Sequence, residues 1–326
     1  MRATIVHTVT VIAHGVDPHA PDLPYKPSKS SPGYEEYYPQ FKIVRDWRQV
    51  DGAAPETLAR IKGLRGIFIV VEVSSPFSTD NAKVVLAQKE KLNDIAVSLA
   101  KEHGALGLRE EFSFYCFSGY DDIDRFIIGH RLLMTQLLRD ETAILTDMEI
   151  DSTLAGSVRY EADDLVVVDW DGAALFDMEG GFEDDLALLE VANVQILSLR
   201  ALDQELTREL DRFREQGNMG AAGVWRMSKT LRSIVATRTT SLLELDAIDS
   251  AMKLYGEWYD ARVYQLAVRK LHLERWRDNV GGKLSTLEKM FEMVSSRQGE
   301  IYNITLEITI VVLIVIEIVL AITGHA

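Results

Sequence analysis

The 326-residue chain carries 50 Asp and Glu against 35 Lys and Arg, a formal net charge of −15, and a single cysteine, Cys116. The length fits one large domain or two modest ones. The lone thiol excludes an intrachain disulfide and a cysteine-based zinc site. The acidic excess sits between residues 121 and 190, where 19 acidic side chains meet 4 arginines; it argues against nucleic-acid binding and predicts a solvated acidic face.

Met1–Ala13 is apolar but broken by His7 and three threonines, which fits a strand better than a signal peptide. All eight prolines fall between Pro18 and Pro76, so the later chain is free to run in long helices. Six of them, with Tyr25, Tyr34, Tyr37 and Tyr38, lie in a loop over 17–41 expected to wrap the domain surface. A short helix is predicted near Pro55–Leu64, then a strand over Gly66–Val73. An amphipathic helix follows from Asp80 to His103, stopped by Gly104. The strand Phe112–Phe117 precedes a helix opening at Asp121 or Asp122, both good N-caps. This alternation predicts an α/β layer. Leu165–Trp170 and Ala173–Phe176 flank Asp171-Gly172, a strong hairpin signal.

From Glu183 the pattern turns helical. Leu189, Ala192, Ile196, Leu199, Leu202, Leu206, Leu210 and Phe213 recur on one face. Gln216–Gly220 is expected to break that helix. A second run extends from Leu245 through Leu273 and Trp276, and Gly281-Gly282 is expected to bend or stop it. A third run, Leu284 to Ile301, leads into the C-terminal segment. The predicted class is α+β: an α/β domain over 1–180, a bundle or stalk of long antiparallel helices over 181–303, and one transmembrane helix over 304–323.

The last element has the strongest signal. From Ile308 to Ile322, twelve of fifteen residues are Ile, Val or Leu, with Glu317 in their midst. About 20 such residues span roughly 30 Å of hydrocarbon. Lys289 and Arg297 precede the segment and no Lys or Arg follows it, which places the body in the cytoplasm. Arg269, Lys270, Arg275 and Arg277 lie too far upstream to meet lipid headgroups and are expected to be stalk-surface or partner charges. A carboxylate in hydrocarbon is costly. Glu317 has three readings: an interchain contact in a homo-oligomer, a ring lining a pore, or a tolerated charge near the far interface. Glu307 is expected to snorkel to the near interface.

Leu254-Tyr255, Tyr259, Arg262, Tyr264-Gln-Leu-Ala267, Trp276, Val280, Lys283-Leu284 and Met290-Phe-Glu-Met293 precede Leu306-Glu307 and the Glu317-containing tail. This order, over roughly 250–322, resembles the end of the required-for-meiotic-nuclear-division family, with a fainter echo in Glu111–Phe117. The resemblance implies a membrane-anchored scaffold or tether in a bacterial or mitochondrial inner membrane, with no established reaction. Only Glu307 and Glu317 carry over as motif positions.

The sequence shows no Gly-rich phosphate loop, nucleophile elbow or paired histidines at metal spacing. Glu179–Phe182 reads as a turn before a helix. His14 and His19 beside Asp17, and the set Asp163, Asp164, Asp169 and Asp171, are weaker than their plain readings as loop and hairpin-rim residues. His272 is expected at the surface or on a helix contact. No catalytic residue, cofactor or metal site is assigned. The expected function is a homo-oligomeric membrane scaffold bound to the bilayer and to a protein partner. The alternative is a cation channel of CorA-like layout with Glu317 facing a pore, against which stand the single span and the missing Gly-Met-Asn filter.

Overall fold

The computed structural model describes residues 1–13, 20–23, 41–64, 66–78, 80–104, 107–215, 259–290, 292 and 310–311. The chain divides into two compact units, one of residues 1–201 with 242–277, the other of 202–241 with 278–326.

The first unit is built on eight strands: β1 Arg2–Ile12, β2 Phe41–Gln49, β3 Leu58–Leu64, β4 Phe68–Phe77, β5 Arg109–Ser118, β6 Ser157–Val158, β7 Asp164–Val168 and β8 Gly172–Asp177. They form one sheet in the order β2-β3-β4-β1-β5-β8-β7-β6. Every neighbouring pair is antiparallel except β5 and β8. The α+β class therefore holds and the sheet is mixed. β1 lies at its centre, between β4 and β5, which explains why Met1–Ala13 reads as an apolar strand. Its alternate residues Ala3, Ile5, Val9 and Val11 join one core, while Val6, Thr8 and Thr10 are buried on the opposite side. A strand covered on both faces loses the polar alternation of a surface strand.

Helix α1, Ala82–Glu102, covers β1 and β4. Asn81 caps its first turn by accepting from Lys83 N at 3.0 Å, and Gly104 at φ +76 follows its end, the left-handed stop expected of a glycine. Helix α2, Ile123–Leu138, is capped by Asp122, which accepts from Arg125 N at 2.9 Å. It packs on β8, with α3, Asp147–Leu154, beside it. The other side of the sheet carries the start of α4, Glu183–Glu215. Residues 186–199 of α4 are all buried, so the predicted one-sided stripe is in fact a helix enclosed all round. Helix α5, Tyr259–Lys270, packs on β6 and β7, and its Tyr264 hydroxyl donates to Gln195 Oε1 of α4 at 2.7 Å.

Three local expectations are corrected. Pro55–Leu64 is not a helix: β3 occupies its second half because each of its residues finds a partner on β4, and ladder pairing outweighs the helix propensity of Leu, Ala, Arg and Lys. The run through Trp276 is interrupted at Leu271-His272, where His272 takes φ +52. Helix α6 then covers 273–290 and passes through Gly281-Gly282 without stopping. Two glycines weaken a helix by about 1 kcal/mol each but do not forbid it.

The open edge of the sheet is guarded. β2 carries Lys42, Arg45, Asp46 and Arg48 and two register shifts, and residues 21–23 lie along its outer side, with Leu23 N donating to Phe41 O at 2.7 Å and Ile43 N to Pro21 O at 2.8 Å. Charge, bulges and a covering segment all block pairing with another chain.

In the second unit the later part of α4 meets the later part of α6. Leu202, Leu206, Val280 and Leu287 are buried. Asp203 accepts from Asn279 at 2.7 Å and from Lys283 at 2.6 Å, and Lys283 also donates to Thr207 at 2.7 Å. Ascending partners on both helices mean that they run in the same direction, so the two are not an antiparallel pair. The chain joining α4 to α5 and the glycine-bearing break at Gln216–Gly220 lie outside the described residues. So does nearly all of 304–323. Among the described residues no helix is long and apolar enough to cross a membrane.

Candidate functional site

Glu307 and Glu317 both lie outside the described residues, as do His14, Asp17 and His19. Of the four aspartates considered for a loose cation site, Asp163 and Asp164 stand at the start of β7 and Asp169 and Asp171 beyond its end, so the strand separates them. Asp164 accepts from Tyr160 N and Glu161 N at 2.7 and 3.0 Å. Asp169 is held by Arg139 at 3.1 Å and Lys270 at 3.2 Å. Among the described residues no group of three or more His, Cys, Asp or Glu is arranged to hold a metal ion. Glu179–Phe182 is a turn as expected: Asp177 Oδ1 accepts from the backbone N–H groups of Glu179, Gly180 and Gly181 at 2.9, 2.7 and 3.0 Å.

Two polar constellations emerge that the sequence did not announce. The first is a buried charge array between the sheet and α4. Alternation along β3 turns Arg60 and Lys62 to the α4 side, and β4 sends Glu72 between them. Arg60 grips Glu72 through Nε and, at 2.9 Å, through Nη2, and reaches Glu183 Oε2 at 2.7 Å. The Lys62 ammonium, with no solvent exposure, lies 3.0 Å from Glu72 Oε1 and against Glu190 Oε2. Trp47 and Phe41 face these cations, at 4.6 Å from the guanidinium and 4.7 Å from the ammonium, which adds cation–π attraction. Two cations face three carboxylates. Burial pushes both Glu72 and Glu190 up. At Glu72 the pull of Lys62 and Arg60 wins and holds the carboxyl low. At Glu190 burial prevails over Lys62, with Glu72 adding repulsion, and the group is pushed up to about 8. A proton on Glu190 balances the array, and its Oε1 has no hydrogen-bond partner among the described residues. Glu190 thus belongs to the core, against the expectation of a wholly solvated acidic face.

The second constellation lies on the other side of the sheet. His7, directly opposite Ser113 in the β1–β5 register, is 2.9 Å from Ser113 Oγ through Nδ1 and 3.2 Å from Asn93 Oδ1 through Nε2. Asn93 in turn donates to Glu111 Oε2 at 3.2 Å. Burial lowers His7 to about 4, so the imidazole is neutral. One hydrogen arrangement satisfies the whole chain: Ser113 donates to Nδ1, Nε2–H donates to Asn93, and Asn93 donates to Glu111. Serine, histidine and amide in this order resemble a nucleophile, base and orienting group. His7 and Ser113 are 0% and 1% exposed, so no substrate reaches the hydroxyl, and the chain acts as a polar clamp between α1 and the sheet.

Beyond these lies a cavity of about 740 Å³ at the sheet end where β5 and β8 begin. The start of β5 supplies Arg109, Glu110, Glu111 and Phe112, the β7–β8 turn supplies Trp170 and Asp171, α4 supplies Ile196 and Arg200, and Trp276 stands on α6. Strand alternation sends Glu110 toward α4, where Arg200 meets it, and Glu111 toward Arg109 at 2.5 Å. Asp171 makes no ion pair among the described residues. Trp170 is 48% exposed, and the His272 ring lies 5.7 Å from it, in keeping with the expected surface position of His272.

Residues 68–183, from β4 to the first residue of α4, match a family described as uncharacterized protein MJ0711, N-terminal domain. The chain is 27% identical over 288 residues to the uncharacterized protein MJ0711 of Methanocaldococcus jannaschii, covering 88% of this chain and 87% of that protein. The chain is similar to that archaeal protein along most of both lengths. This overturns the resemblance to the required-for-meiotic-nuclear-division family, which rested on 250–322. Helix-period patterns and apolar Ile/Val/Leu runs follow from packing and burial in general, so unrelated chains converge on them. No solved structure matches the chain.

Proposed function

We propose that the protein is a membrane-attached, self-associating scaffold whose folded body stands on the cytoplasmic side and carries no catalysis. The observation that carries this reading is the sequence over 304–323, long and apolar enough for a single C-terminal transmembrane helix, with Glu317 inside it. One span per chain leaves other copies as the intramembrane partners for that carboxyl group. The burial of Ser113 and His7 supports a role without acyl-transfer chemistry, because a nucleophile must meet its substrate.

The test is membrane extraction followed by mass measurement. The full chain is expected to stay with membranes through an alkaline carbonate wash, and to show a mass in non-ionic detergent that is a multiple of its 36.7 kDa. Glu317→Leu is expected to shrink that complex. Release by carbonate defeats the attachment, and a monomeric wild type defeats the self-association. Cation flux through liposomes that disappears in Glu317→Leu would replace the scaffold with a channel.

A further inference from the structure

The cavity at the start of β5 and β8 lies within the first unit and does not depend on membrane attachment. Its volume of about 740 Å³ falls in the range of small-ligand sites, roughly 300–1,000 Å³. Two indoles face it from different elements. Trp170 stands on a hairpin turn and is half exposed, where no core needs its large surface. Trp276 is delivered by the break at Leu271-His272, which starts α6. Around that break His272 holds a left-handed backbone without being glycine, a cost of about 1 kcal/mol or more that surrounding structure must sustain.

The charges decide what such walls would hold. Arg109 and Arg200 are each matched to a glutamate, Glu111 and Glu110, so the charge of both guanidinium groups is balanced within the lining. The remaining charge is the Asp171 carboxylate. It lies beside the negative groups Asp140 and Asp169; burial and the repulsion from these two push it up, against the pull of Lys89. An anion entering here would meet two arginines already paired with glutamates and the Asp171 carboxylate, which makes no ion pair among the described residues. A cation would meet an acid and two indole side chains in the lining, the residue types that bind alkylammonium groups.

We infer that this cavity is a binding site for a small organic cation, an amine or quaternary ammonium compound, with its apolar body against Trp170 and Trp276 and its charge beside Asp171. Trp170 and Asp171 are suitable positions for substitution, because both lie in an exposed turn. Asn at 171 is close to Asp in shape and equally suited to a turn, and the backbone carbonyl of residue 171 that accepts from Ser113 N is unchanged.

The experiment is calorimetric titration of the full chain in non-ionic detergent with choline, with its uncharged carbon isostere dimethylbutanol, and with ATP. Choline is expected to bind, the isostere to bind at least about tenfold more weakly, and ATP not at all. Asp171→Asn and Trp170→Ala are each expected to weaken choline by about tenfold, with circular dichroism unchanged and Trp170→Phe restoring part of the loss. Equal binding of choline and the isostere would overturn the inference in favour of a plain apolar pocket. ATP binding would overturn it in favour of an anion site. Absence of heat with choline up to about 10 mM, far above the affinity such a cage gives, would also overturn it.

Discussion

Replacing Lys62 with Met removes the one cation that joins the two fully buried carboxylates of the α4 face. The ammonium lies 3.0 Å from Glu72 Oε1 and in contact with Glu190. At an effective dielectric near 20, one such contact is worth about 5 kcal/mol of attraction, which the loss of hydration largely offsets. Deleting the cation keeps the burial of the acids and forfeits the attraction, a change that costs about 3–5 kcal/mol in comparable buried pairs. Glu72 retains Arg60, and Glu190, raised to about 8, already holds a proton near neutral pH, so the lower end, about 3 kcal/mol, is expected. Loss of the Phe41 contact adds a few tenths to about 1 kcal/mol. Urea unfolding followed by circular dichroism should show the midpoint fall by about 1–2 M. Combining the change with Glu190→Leu should recover more than half of the loss, because the orphaned acid is then gone. A single variant within about 1 kcal/mol of wild type, or a double variant that simply adds the two losses, would refute the idea that the array is one coupled unit.

Glu190 sets a pH dependence of opposite sign to that of a paired surface acid. Its folded value is raised to about 8, so the stability contributed by its protonated form is present below the ordinary carboxylate range and is lost as pH rises from there to about 8. Glu190→Gln should flatten the decline between the ordinary carboxylate range and about pH 8; an unchanged profile would count against a proton on this group. Gly156→Ala should destabilise by about 1–3 kcal/mol, because a Cβ there would sit 2.3 Å from Lys270 Cε and 2.8 Å from Val168 O, and thermal melts that show no change would contradict the close approach. Gly282→Ala should raise stability by about 0.5–1 kcal/mol, since α6 is continuous there and nothing among the described residues lies within 4 Å of a Cβ. A lowered melting temperature would show that the backbone at Gly282 is not helical in solution.

Elements whose signals are local could be read from the residues. Asn81 and Asp122 stand at the N-caps expected near them, Gly104 ends α1 and Glu183 opens a long helix, while the hairpin expected at Asp171-Gly172 turns one residue earlier, through Trp170 and Asp171, with Gly172 already the first residue of β8. The helix expected near Pro55–Leu64 is overturned by β3, whose Arg60 and Lys62 are buried; pairing with β4 and burial against α4 decide that placement. The cavity was equally hidden. Trp170, Asp171, Arg200 and Trp276 are spread over more than a hundred positions, and each has an ordinary meaning where it stands. His7 read as a flaw in an apolar segment until the β1–β5 register set it opposite Ser113.

By itself, then, the amino-acid order determined the periodicities, caps, breaks and hydropathy of this protein, including the apolar run around Glu317, because those depend on residues within a turn or two of one another. Tertiary structure alone decided which charges meet. Lys62 and Glu190 are 128 positions apart, and whether each is a solvated surface charge or half of a buried pair depends on where sheet and helix bring it. No local pattern carries that information, since burial and electrostatic partners are properties of the packed chain.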